Sequence, residues 1–136
     1  MNGRPPANVT LMGVIPVRSV LVVEDAAAMR LLIGHILTQA GHQTVLVGSV
    51  KEAMEVLDTR RVDVVVTDLT LPGLGGLDLL RAMQSQENAP PVIVVTAEGE
   101  DAMRERALEL GASAFLTKPF SRYELLDAVF LAEESA

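Results

Sequence analysis

The sequence predicts a doubly wound α/β domain, a parallel sheet with helices on both faces. Three observations carry this. Short runs such as Val20-Leu21-Val22-Val23 and Val92-Ile93-Val94-Val95 are almost entirely apolar and rich in β-branched residues, with no polar alternation. Strands of that kind are buried on both faces. Between them lie longer stretches with apolar residues at helical spacing. The strand-then-helix order repeats five times, and such alternation makes a parallel sheet.

Strand one is Val20–Val23, after Ser19 opens the ordered domain, and it ends in the acid pair Glu24-Asp25. The first helix runs from Ala26 to Ala40, with Met29, Leu32, Ile33, Ile36 and Leu37 inward, and Gly41 stops it. Strand two is Thr44–Val47. Ser49 caps a helix from Val50 to about Thr59, with Glu52 at capping-box spacing and Ala53, Met54, Val56 and Leu57 as its stripe. Strand three runs from Val62 to Asp68 and enters the turn Leu69-Thr70-Leu71-Pro72-Gly73. Leu77 to Gln86 is the third helix, with Leu79, Leu80 and Met83 inward. Strand four, Val92–Val95, has Thr96 at its end. Glu100 to Leu110 is the fourth helix, with Met103, Ala107 and Leu110 inward, and Gly111 ends it. Strand five, Ala114–Thr117, leads into Lys118-Pro119. Ser121 caps a last helix reaching about Glu133, with Leu125, Leu126, Val129 and Phe130 inward. Right-handed crossovers restrict the topology. The expected solution is a flavodoxin-like (βα)5 fold, strand order 2-1-3-4-5.

At 136 residues the chain has the length of one domain, and 49% apolar against 21% charged residues describes a folded, soluble one. A net charge of −7 argues against direct binding to nucleic acid, which needs clustered Lys and Arg. With no cysteine, disulfides, thiolate metal sites and cysteine nucleophiles are excluded. No apolar run reaches the length of a membrane span. Residues 1–18, with Pro5, Pro6 and Pro16, read as a flexible arm, and residues 19–136 as the folded domain. A reducing cytoplasm is the expected location.

In a parallel sheet every strand's carboxyl end lies on one rim. Glu24 and Asp25 come from strand one, Asp68 from strand three, Thr96 from strand four and Lys118 from strand five. Three carboxylates together raise one another's pKa, and a hard divalent cation with oxygen ligands makes the set tolerable. Lys118 adds a cation for a phosphoryl oxygen, and Thr96 a hydroxyl. These are the parts for phosphoryl transfer to a carboxylate.

The stretches Val22-Val23-Glu24-Asp25, Val66-Thr67-Asp68-Leu69-Thr70-Leu71-Pro72-Gly73, Val95-Thr96-Ala97, Gly111-Ala112 and Phe115-Leu116-Thr117-Lys118-Pro119-Phe120 occur in order, each at an expected strand end. On these residues the chain, from about Ser19 onward, resembles a receiver domain of a two-component response regulator. The resemblance implies that Asp68 is the phosphoacceptor. It implies Mg2+ as cofactor, held by Asp25, Asp68 and the backbone carbonyl of Thr70, with Glu24 acting through water. Lys118 would contact the phosphoryl group, next to a cis bond to Pro119. Thr96 and Phe115 would be the coupled switch residues, while Ala97 would leave the site accessible and Gly76 would fit the turn. Glu24 stands where many members carry Asp, and Phe115 where many carry Tyr. Thr70 and Glu98 flank the site. The implied partners are a sensor histidine kinase or histidine phosphotransfer protein upstream and a protein target or output domain downstream. The face of the fourth helix, fifth strand and fifth helix would carry the output and is also the expected surface for a homodimer. Arg104, Arg106, Glu109, Arg122, Glu124 and Asp127 could pair across it.

Two other functions compete. A haloacid-dehalogenase-type phosphatase also uses an aspartyl phosphate, but it needs a second Asp two residues after the first, where this chain has Thr70. A receiver-like module that dimerises without phosphorylation has no need of the full acid set with Lys118. Asp25 could also serve as a plain helix cap, and Asp63, Asp78 and Asp101 read as surface or capping acids. His35 and His42 have no partners at ligand spacing.

Overall fold

The computed structural model describes residues 17–71, 75–97 and 101–134. Residues 1–16 of the arm expected over 1–18, the Pro72-Gly73 turn, and Glu98 and Glu100 lie outside the described residues. The elements are β1 (Ser19–Val23), α1 (Ala27–Gln39), β2 (Gln43–Val47), α2 (Val50–Thr59), β3 (Val64–Asp68), α3 (Gly76–Gln84), β4 (Val92–Thr96), α4 (Asp101–Glu109), β5 (Ala114–Thr117) and α5 (Arg122–Glu134). The five strands form one sheet in the order β2-β1-β3-β4-β5, all pairs parallel. This is the expected flavodoxin-like architecture.

The apolar runs are continuous because each strand feeds two cores. Leu21, Val23, Val65, Val92, Val94 and Phe115 pack on one face with Ala53 of α2, Leu79 of α3 and Ala107 of α4. Val20, Val22, Val64, Val66, Ile93 and Val95 pack on the other with Ile33 and Leu37 of α1 and Leu125 and Val129 of α5. Successive side chains point to opposite faces, so a polar residue in mid-strand would enter one core or the other.

Local signals terminate the helices. Gly41 and Gly111 have φ of +94° and +99°, the left-handed region that stops a helix. Ser49 Oγ accepts from Glu52 N at 3.2 Å, while the Glu52 carboxylate reaches the Gly48 amide at 3.3 Å rather than the cap's own N–H. Ser121 and Glu124 form the full reciprocal box, at 3.1 and 2.9 Å.

Two apolar faces differ from expectation. Leu32 is 49% exposed and Phe130 43% exposed. Residues in a helix turn by about 100° each. The stripe of α1 is centred on Ile33 and Leu37, which leaves Leu32 to one side. That of α5 is centred on Leu125 and Val129 and is completed by Ala128 and Ala132, which turns Phe130 outward. The third helix begins at Gly76, one residue before the expected Leu77, and ends at Gln84 rather than Gln86.

The amino edge of the sheet is tied by side chains. Asp63 is more than a surface acid: its carboxylate accepts from Ser19 N at 2.8 Å and joins the start of β1 to that of β3. His42 is buried, and its Nδ1 accepts from Arg18 N at 3.0 Å. Burial, then the Arg18 charge, hold the His42 pKa below its ordinary value. Only the neutral ring can accept that bond.

The folded state therefore binds a proton at His42 less readily than the unfolded chain. Stability should be full above the unfolded pKa of about 6.5 and fall as the pH drops below it. Thermal melts from pH 7.5 to 5.5 should show this decline. It should shrink in His42→Asn, whose amide oxygen accepts the same bond without titrating.

Candidate functional site at the carboxyl rim of the sheet

Three strands place three charged groups in contact at the rim. Glu24 follows β1, Asp68 ends β3 and Lys118 follows β5. Lys118 Nζ lies 2.6 Å from Glu24 Oε1 and 2.6 Å from Asp68 Oδ2. Glu24 and Asp68 are buried, at 1% and 6% exposure. The remaining carboxylate oxygens are also satisfied: Glu24 Oε2 accepts from Ala26 N at 3.1 Å, and Asp68 Oδ1 accepts from Thr70 N at 2.8 Å.

Burial pushes the Glu24 carboxyl above its ordinary pKa, against the hydrogen bonds from Lys118 and Ala26, and the Asp68 charge pushes the same way. Burial acts to lower the Lys118 pKa. Hydrogen bonds to Asp68 and Glu24, with the charges of both, outweigh it and hold the ammonium above the ordinary lysine value.

The other expected site residues are distributed around this triad. Asp25 is exposed, and α1 has no side-chain cap, so Asp25 is not its cap. Thr70 is exposed and tied by its amide to Asp68. Thr96 is buried at the end of β4, and its carbonyl accepts from Lys118 N at 2.8 Å. Phe115 is buried and pairs with Val94 in the β4–β5 ladder, so it shares a sheet face with Thr96, two residues further on. The Lys118-Pro119 bond is cis. Ala97 is exposed next to the rim. Gly76 opens α3, and its amide donates to the Leu69 carbonyl at 3.0 Å. A Cβ there would overlap the Asp68 carbonyl oxygen and stand 2.9 Å from Leu69 Cα. The backbone that carries Asp68 thus rests directly on Gly76.

Glu24, Asp25 and Asp68 offer only hard oxygen donors, and Lys118 cancels one of their three charges, which suits a divalent cation. Among the described residues no three acidic or imidazole side chains gather tightly enough to enclose an ion alone. An ion that retains several waters needs fewer protein ligands than that.

Two arginines at this end of the fold carried no sequence signal of their role. Arg30 of α1 donates through Nη1 to the Glu24 carbonyl at 2.8 Å. Arg104 of α4 places its guanidinium carbon 5.9 Å from the centre of the Phe115 ring, within cation–π range.

This rim on this sheet defines a receiver fold. The family model described as response regulator receiver domain matches residues 20–130, and the chain belongs to that family. It is 38% identical over 117 residues to Regulatory protein VirG of Agrobacterium fabrum, covering 86% of this chain and 46% of that protein. It is 33% identical over 110 residues to Sporulation initiation phosphotransferase F of Bacillus subtilis, covering 81% and 89%. The chain spans about half the length of the first relative and most of the second. Among solved structures, the receiver domain of the Francisella response regulator 1452 superposes with a TM-score of 0.81 at 30% identity, over 87% of this chain and 98% of that one. Receiver domains are phosphoacceptor switches rather than conventional enzymes, and the family generally binds Mg2+ at the phosphorylation site.

Removing Lys118 strands two buried carboxylates. Lys118→Met should destabilise the fold by about 3 kcal/mol at neutral pH. Burial already raises the Glu24 pKa against the Lys118 hydrogen bond, so without the ammonium it rises further above its unfolded value. The loss should therefore be small in mild acid and grow as the pH rises through the Glu24 pKa, which urea melts at pH 4.5 and 7.5 would measure. Gly76→Ala should cost about 1–3 kcal/mol through overlap with the Asp68 backbone, and the same melts would read it.

Proposed function

We propose that this chain is a phosphorylation-controlled signalling switch whose acceptor is Asp68. The observation that carries the reading is the 2.6 Å contact of Lys118 Nζ with Asp68 Oδ2, within a pair of buried carboxylates. In this reading an Asp68 oxygen attacks the phosphorus of a phosphohistidine on a histidine kinase or phosphotransfer protein. The P–O bond forms as the P–N bond breaks, and the departing imidazole takes up a proton. Lys118 orients an incoming phosphoryl oxygen and offsets the charge that builds up around it. Asp25, Asp68 and the Thr70 carbonyl would hold Mg2+, with Glu24 acting through water. That cation would supply charge neutralisation between the acids and the phosphoryl oxygens. The same groups would assist hydrolysis of the acyl phosphate.

Thr96 would bond the phosphoryl group, and Phe115, on the same sheet face, would respond to its movement. The shift would alter the face formed by α4, β5 and α5, which a downstream protein target or output domain reads. A homodimer through that face and a cytoplasmic setting belong to the same reading. Among the described residues, no helix is long and apolar enough to cross a membrane.

Incubation with acetyl phosphate and Mg2+, followed by intact mass measurement, should show the gain of one phosphoryl group. Asp68→Asn should show none. A wild-type chain that gains no mass and gives no spectral change with beryllofluoride would defeat the reading.

A further inference from the structure

The acid pair after β1 is held by a residue outside it. β1 ends at Val23 and α1 begins at Ala27, so Glu24, Asp25 and Ala26 form a three-residue loop. Inside the loop the Glu24 carboxylate accepts from the Ala26 amide. From outside, Arg30 Nη1 lies 2.8 Å from the Glu24 carbonyl and 3.4 Å from that of Asp25. One guanidinium thus binds the main chain of both acids that precede its own helix.

The guanidinium is itself confined. A Cβ on Gly48 would stand 3.2 Å from Arg30 Nη1 and 4.0 Å from the Glu24 carbonyl oxygen. The Gly48 amide is fixed in turn by Glu52 of α2 at 3.3 Å, and Glu24 N donates to the Val47 carbonyl at 3.0 Å. Arg30 therefore lies in a slot over Gly48 that any side chain would narrow. The supports run from the start of α2, through Gly48 and Arg30, to the two acids.

We infer that Arg30 is a positioning residue, which fixes the Glu24–Asp25 loop in the conformation that receives a divalent cation. The inference rests on the functional reading above. It makes a prediction opposite to that of charge alone. A guanidinium close to a cation site repels the cation, so by Coulomb's law its removal should tighten Mg2+ binding. If Arg30 acts by holding the loop, its removal should weaken binding despite the loss of a positive charge.

The test is Mg2+ titration of the full chain, followed by amide chemical shifts of Ala26 and Gly48, a binding readout independent of phosphorylation. Arg30→Gln removes the charge. Gly48→Ala keeps the charge and presses its Cβ, 3.2 Å from Nη1, against the guanidinium, which must shift within its slot. Both should raise the Mg2+ dissociation constant, Arg30→Gln by about tenfold, the scale of one hydrogen bond to a charged donor. The maximal rate of phosphorylation by acetyl phosphate at saturating Mg2+ should stay near that of the wild type. Unchanged or tighter Mg2+ binding in either variant overturns the inference. Should Arg30→Gln fail to fold, Arg30→Met, which likewise removes both the charge and the donor, takes its place beside Gly48→Ala. Wild-type protein whose amides do not respond to Mg2+ would defeat the functional reading itself, a result separate from any behaviour of the variants.

Discussion

The rim depends on one ammonium group placed between two buried carboxylates. Isolated buried charges are unstable, and a buried pair persists only where geometry and further hydrogen bonds are good. Lys118 meets Glu24 and Asp68 at equal distance, and the outer oxygens of both acids receive backbone amides. The acids still outnumber the lysine, and the Glu24 pKa is raised by its burial first and then by the Asp68 charge. Such a site is electrostatically unfinished, and an additional cation completes it more readily than an anion can.

That placement is a product of the sheet. Lys118 follows an edge strand and reaches past β4 to the ends of β3 and β1. Its own backbone is fixed to the Thr96 carbonyl across the β4–β5 pair. Below Asp68, the absence of a side chain at Gly76 lets α3 approach the backbone that presents the acid. Small changes in strand register or helix distance would separate the charges, so the core and the chemistry are constrained together.

Much of this was legible in the sequence. Unbroken β-branched runs mark strands that face two cores, glycines at 41 and 111 mark helix ends, and an acid or lysine directly after such a run belongs at the rim. The finer orientation was less accessible. Helical spacing locates a stripe but not its centre, so Leu32 and Phe130 read as inward while the smaller Ala128 and Ala132 fill the space. Arg30 and Arg104 were illegible in their present roles. Each acts on a backbone carbonyl or an aromatic ring, through contacts that leave no pattern of residue types. Asp63 looked like a solvated acid because its partner, the Ser19 amide, is 44 positions away.

The contacts of Lys118 also have a bearing on how the chain assembles. They join residues 94 and 50 positions apart, among the longest-range links in the molecule. Contacts of large sequence separation close late and slowly, since the intervening chain must first be ordered. Until the fifth strand docks, Glu24 and Asp68 lack the Lys118 ammonium. A chain emerging from the ribosome presents Lys118 only after all five of its strands, so the triad cannot close until late in synthesis.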